Sequence, residues 1–169
     1  MVTPAGPGER TSRRPRPWAR IAIPVLIAGV VLLLVGLEPL RVASVSMEPT
    51  LTAGDHVLVD KLSGRWRMPE VGDLVVFRDP EHRELVVKRV VALGGQTVAL
   101  EDAVLVVDGI VRHEPQVDLT RIDSTYFGPV TVPPDAAFLL GDNRSESVDS
   151  RRYGAIRLDE LIGRVLLTF

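Results

Sequence analysis

The 169-residue chain contains no cysteine. Thiol catalysis, zinc–thiolate sites and disulfides are thereby excluded in any compartment. Histidine is nearly as scarce. His56, His82 and His113 stand apart, without the spacing of a metal site, so neither a metal nor a cofactor is expected. Aromatics are few at 5%, while 13 prolines and 14 glycines punctuate the chain; this favours many short strands and turns over long helices. The most informative shortage is lysine: Lys61 and Lys88 stand against 18 arginines. Arginine keeps its proton at any working pH, whereas a buried lysine can lose one. Where arginine supplies the general positive charge, each lysine is worth separate inspection.

Charge is distributed unevenly. Residues 1–37 carry five arginines and one glutamate, and the remainder carries 15 basic and 21 acidic residues. A basic leader on an acidic body argues against nucleic acid as the partner of the folded part. Residues 1–20 are rich in Pro, Gly, Arg and Ser and lack apolar periodicity, so a disordered basic leader is predicted. Ile21 to Leu37 then runs without a charge, long enough to cross a bilayer as a helix. Pro24 falls in its first turn, where proline is tolerated, and Trp18 and Arg20 suit the interface. The arginine-rich flank places that side in the cytoplasm by the positive-inside rule. A cleaved signal peptide is the rival reading, but Arg41 stands where a small residue should be if cleavage followed Ala43. The expected organisation is a cytoplasmic leader (1–20), a transmembrane anchor (21–40) and an extracytoplasmic domain (41–169).

The body reads as mostly β. Strands are predicted at Val42–Ser46, His56–Leu62, Asp73–Arg78, Leu85–Leu93, Thr97–Leu100, Val104–Val107, Ile110–His113, Gly128–Val132, Ala136–Leu140 and Gly163–Phe169. A helical turn is predicted at Leu158–Leu161. Asp108-Gly109 between two alternating runs signals a type I′ hairpin. Short strands at this spacing suggest an antiparallel sandwich or partly open barrel. Residues 101–135 look like an excursion from its core.

Three stretches carry candidate chemistry. Ser44 and Ser46 lie two apart, on one face of an extended strand that Pro49 ends. They read either as a nucleophile with a second hydroxyl beside it or as incidental serines in a turn. Lys88 sits in Leu85-Val86-Val87-Lys88-Arg89-Val90-Val91-Ala92-Leu93, with two valines on either side. Full burial lowers a lysine pKa by up to ~3–5 units, far enough to make a base near neutral pH. Snorkelling to the surface, or pairing with Glu84, is the equal alternative. The polar stretch Gly141–Gly154 holds Asp142/Arg144 and Asp149/Arg151, each an acid and an arginine two apart, and Ser147, whose hydroxyl could orient a neutral amine. Its alternative is a solvated surface loop.

Taken in order, Ser46-Met47-Glu48-Pro49-Thr50-Leu51, Val87-Lys88-Arg89-Val90-Val91 and Gly141-Asp142-Asn143-Arg144 through Ser147, Asp149, Ser150 and Arg151 resemble the type I signal peptidases, membrane-bound Ser/Lys proteases of bacteria. The resemblance covers about residues 21–169. It implies Ser46 as nucleophile, Lys88 as general base, and Ser44 with the Ser46 amide as oxyanion hole. It further implies Ser147 holding the lysine amine, an Asp149–Arg151 pair supporting that wall, and Asp142 and Arg144 shaping the loop. Met47, Pro49 and Arg89 match positions of structural character. The implied partners are signal peptides of exported preproteins, with small residues at −1 and −3, and the lipid bilayer. Two departures stand out: Val45 between the serines, and Ala92-Leu93-Gly94-Gly95-Gln96 where the family usually has Gly-Leu-Pro-Gly-Asp. No large second extracytoplasmic domain is expected. Two other readings remain: a Ser/Lys processing peptidase dedicated to one substrate, and a non-catalytic anchored β module.

Overall fold

The computed structural model describes residues 22–26, 29, 31, 36–62, 67–118 and 126–169. Two compact units divide at Val35/Gly36. In the first, residues 22–26, 29 and 31 are helical, with Ile23, Val25, Leu26 and Val31 exposed. The expected leader and much of the expected anchor lie outside the described residues. Among the described residues no helix is long and apolar enough to cross a membrane.

The second unit is mostly β, a half-barrel of antiparallel strands, as the short apolar runs and frequent turns imply. Eleven strands are described: β1 (Leu37–Arg41), β2 (His56–Asp60), β3 (Leu74–Arg78), β4 (Leu85–Leu93), β5 (Thr97–Glu101), β6 (Val104–Val107), β7 (Ile110–Val111), β8 (Phe127–Thr131), β9 (Ala136–Leu140), β10 (Ile156–Arg157) and β11 (Leu161–Thr168). A seven-stranded sheet runs β1-β2-β11-β3-β4-β9-β10 and a four-stranded sheet runs β7-β6-β5-β8. The four-stranded sheet is the excursion expected around 101–135. Asp108 and Gly109 between β6 and β7 both have positive φ, 55° and 73°, as the I′ turn demands.

The first strand differs from expectation. Val42–Ser46 is not a strand; β1 lies upstream and takes Leu37–Leu40 out of the expected anchor. Its register with β2, Leu37↔Asp60 through Arg41↔His56, explains the choice. Leu40 packs against the buried cluster of Val42, Met47, Leu51, Val57, Val59 and Val76, while Pro39 sits on an edge strand, where its missing N–H is tolerated. The short β10 and the helical turn Ser150–Tyr153 were not signalled by periodicity; the turn expected near Leu158 is a 3₁₀ turn, Leu158–Glu160.

β4 positions the chemistry. Its apolar run puts Lys88, Val90, Val91 and Ala92 in the interior, between β3 and β9. One face joins the cluster of Val75, Phe77, Val90, Ala137 and Leu139. Val91 and Ala92 pack with Val98, Leu100, Leu105 and Phe138, fastening the smaller sheet to the larger. Each fully buried aliphatic or Phe side chain contributes about 1.5–3 kcal/mol, so the strand carrying Lys88 is held from both faces.

Candidate active site

Beyond β1 the chain makes one more pairing, Val42 N–H to Asp55 O (2.8 Å) and Gly54 N–H to Val42 O (2.8 Å), and then turns. Glu48 N–H donates to Val45 O (3.1 Å) and Leu51 N–H to Met47 O (2.9 Å). Met47 and Leu51, both buried, pin this turn to the core. Ser44 and Ser46 therefore do not share a strand face. The turn still brings their hydroxyls together, Oγ to Oγ at 3.1 Å.

Lys88 reaches Ser46 from β4. Its Nζ donates to Ser46 Oγ at 2.6 Å, and the lysine is only 2% exposed. The snorkelling and Glu84-pairing alternatives are thus not realised. Burial lowers the Lys88 pKa to about 8; the Asp149 carboxylate opposes that shift and Arg151 adds to it. The other lysine shows the contrast: Lys61 forms a half-exposed ion pair with Glu38.

The late loop follows β9 and closes over the turn. Asn143 N–H donates to Ser46 O (3.1 Å) and Asn143 Nδ2 to Val45 O (3.1 Å). Asn143 was not singled out from sequence; only its place in the Gly-Asp-Asn-Arg run marked it. Asp149, fully buried, caps the helical turn Ser150–Tyr153. It accepts from Gly141 N–H (3.0 Å) and from Arg151 Nε (2.8 Å) and Nη2 (2.9 Å), so the expected Asp149–Arg151 pair is formed. Arg151 Nη2 also donates to Arg144 O and Ser147 O.

The Asp142 and Arg144 side chains look elsewhere than to each other. Asp142 takes a bidentate pair from Arg89, Nε to Oδ1 (2.8 Å) and Nη2 to Oδ2 (2.6 Å), plus the Thr50 hydroxyl (2.5 Å). Arg144 donates through Nη2 to both oxygens of Glu114 (2.6 and 2.7 Å) and through Nε to Gly141 O (3.1 Å). Asp142 and Arg144 are both buried, and a buried charge is best matched by an opposite charge that also hydrogen-bonds it. Two residues apart on one loop, Asp142 and Arg144 each find an opposite charge on another segment: Arg89 grips Asp142 as a fork, whereas Arg144 meets Glu114 through Nη2 alone and its Nη1 has no partner among the described residues.

The Ser147 hydroxyl does not bond Lys88, whose amine is taken by Ser46; its Oγ is buried without a partner among the described residues. It packs against Gly141. A Cβ on Gly141 would fall 2.2 Å from Ser147 Oγ and 2.5 Å from Ser46 O, closer than any real Cβ approaches.

Two cavities flank the serine turn. An apolar one of about 170 Å³ is lined by Leu40, Val42, Ser44, Met47, Val86 and Val87, among others. A polar one of about 370 Å³ is lined by Glu48, Pro49, Asp142, Asn143 and Arg144, among others. The apolar walls were not foreseen, although they come from the residues bracketing the serine and lysine boxes. No group of acids and histidines able to hold a metal occurs among the described residues.

A buried amine bonded to a serine hydroxyl, with a second hydroxyl beside it, is suited to nucleophilic attack on a carbonyl. A family model described as signal peptidase, peptidase S26, matches residues 16–169. The chain is 35% identical over 175 residues to the probable signal peptidase I-1 of Synechocystis, covering 92% of this chain and 85% of that one. It is 35% identical to signal peptidase I of Mycobacterium tuberculosis H37Rv, covering 87% of this chain and 65% of the relative. It is also 35% identical to the chloroplastic thylakoidal processing peptidase 1 of Arabidopsis thaliana, spanning 42% of that longer protein. The crystal structure of a signal peptidase I from Enterococcus faecalis V583 superposes with a TM-score of 0.52 at 29% identity, over 60% of this chain and 98% of that one. The chain belongs to the signal peptidase family, peptidase S26, of serine endopeptidases that remove signal peptides.

Proposed function

We propose that this chain is a membrane-anchored signal peptidase in which Ser46 attacks the scissile carbonyl and Lys88 takes its proton. The observation that carries the reading is the 2.6 Å Lys88 Nζ–Ser46 Oγ contact inside a buried site. With the amine neutral, the serine O–H proton passes along that contact to Nζ as the C–O bond forms. The oxyanion is held by the Ser46 amide and the Ser44 hydroxyl. The Lys88 ammonium then protonates the leaving amine, giving an acyl-enzyme. Lys88, neutral again, draws a proton from water for deacylation. Asp149 and Arg151 brace the loop beside the amine, and Asp142 and Arg144 tie that loop to its neighbours.

The substrate is the signal peptide of an exported preprotein. Small side chains ahead of the cut enter the apolar cavity beside the serine turn. Residues 1–20 lie in the cytoplasm and the apolar stretch from Ile21 crosses the bilayer. The β unit, starting at Gly36, works on the outer face. The arginine-rich flank supports that orientation.

The test mixes detergent-solubilised full-length protein with a preprotein and sequences the new N-terminus. Wild type should cut once after a small-x-small sequence, and Ser46→Ala should not cut. Cleavage at the same bond by Ser46→Ala would sink the assignment.

A further inference from the structure

The segment between β7 and β8 carries a group that reaches into the catalytic loop. Arg144 is only 3% exposed, and its guanidinium is therefore a charge largely out of water. Such a charge needs a partner in good geometry. Glu114 provides it, giving both carboxylate oxygens to Arg144 Nη2. Glu114 is itself well presented: Arg112 N–H bonds Leu105 O (2.8 Å), Val117 N–H bonds Glu114 O (3.0 Å), and Val117 is buried.

From Arg144 the contacts converge on one residue. Arg144 Nε holds the Gly141 carbonyl and Asp149 holds the Gly141 N–H. Gly141 is thereby gripped at both ends, and the space a Cβ would take on it is filled by the Ser46 carbonyl and the Ser147 hydroxyl. A shift of Gly141 displaces the backbone that carries the nucleophile. The apolar cavity shares Ser44 and Met47 with the serine turn, but most of its wall, including Leu40, Val57, Val76, Val86 and Val87, belongs to β1–β4, which Gly141 does not touch.

We propose that Glu114 is a positioning residue for the cleavage reaction: through Arg144 and Gly141 it sets the Ser46 backbone, and so governs turnover rather than substrate binding. The inference rests on the Ser46/Lys88 reading.

The test compares full-length wild type, Glu114→Gln, Arg144→Lys and the double variant, with Ser46→Ala as control, on one preprotein. Glu114→Gln keeps the shape and removes the charge. Arg144→Lys keeps the charge but, with one nitrogen, cannot hold both Glu114 and the Gly141 carbonyl. Each should lower kcat by roughly 10–100-fold, the scale of a misplacement of about an ångström, with KM within about twofold. The double variant should be no worse than the poorer single, because both break one linkage. Wild-type kcat in Glu114→Gln, an equal change in KM, or additive losses in the double variant would each overturn the inference. If Ser46→Ala retains activity, it is the catalytic reading that fails.

Discussion

At Lys88, burial and the proposed role as base pull in the same direction. The dry site disfavours the ammonium, and a base needs the amine. With a pKa of about 8, the active neutral form grows as pH rises. The kcat/KM profile should climb through an acid limb near pH 8 and be tenfold lower for each unit well below it. A rate level from pH 6 to 9 would exclude Lys88 as the base. The same group sets a stability cost. Below pH 8 both folded and unfolded chains carry the ammonium, and the folded one carries it buried. Between about 8 and 10.5 the unfolded chain binds more protons, so this group makes stability rise with pH across that window. Lys88→Met should accordingly be inactive yet more stable at pH 7, by on the order of 1–3 kcal/mol. Urea melts of the two proteins at pH 7 check this, and an unchanged or lowered midpoint would contradict it.

The loop after β9 works as one element because its charges are committed to different neighbours. Asp149 secures it internally, Asp142 ties it to β4 through Arg89, and Asn143 ties it to the serine turn. Gly141 lies where these ties meet. Gly141→Ala would put a methyl carbon against the Ser46 carbonyl oxygen, and backbone there has nowhere to go. Cleavage should fall by at least ~10²-fold, the cost of misplacing a reacting group, while circular dichroism remains that of a folded β protein. Full activity in Gly141→Ala would mean the loop is looser than its bonds suggest. Much of this element was legible from its residues: a polar run after an apolar strand, with the Asp149–Arg151 pair two apart. The destinations of Asp142 and Arg144 were not. Their partners stand 53 and 30 residues away in the chain, and only closure of the sheet decides which acid a buried arginine meets. The start of β1 was hidden for another reason. The uncharged run ending at Leu37 passes into β1 without a polar break, so hydropathy alone does not mark where the sheet begins.

Across the whole molecule, the site is assembled from four separate segments on a scaffold whose order is not the chain order. β11 lies between β2 and β3, pairing Val165 with Val59 and Gly163 with Val76. The Ser/Lys contact was foreshadowed by the scarcity of lysine and by local pattern. This central insertion was not, because periodicity marks a strand and says nothing of its neighbour. Removing Leu161–Phe169 should leave β1–β2 without a partner on one side and β3–β4 without one on the other. Such a chain is expected to lose cleavage entirely and to show exchange of the β2 and β3 amides that the full chain protects. Retained cleavage would show that the two halves hold together without it.

The place of β11 also bears on when the site is assembled. A nascent chain that has emerged as far as the late loop already carries Ser46, Lys88, Asp149 and Arg151. It still lacks the strand that joins the serine half of the sheet to the lysine half. On the truncation outcome expected above, the serine and lysine halves of the sheet come into register only once Leu161–Thr168 has been made and paired.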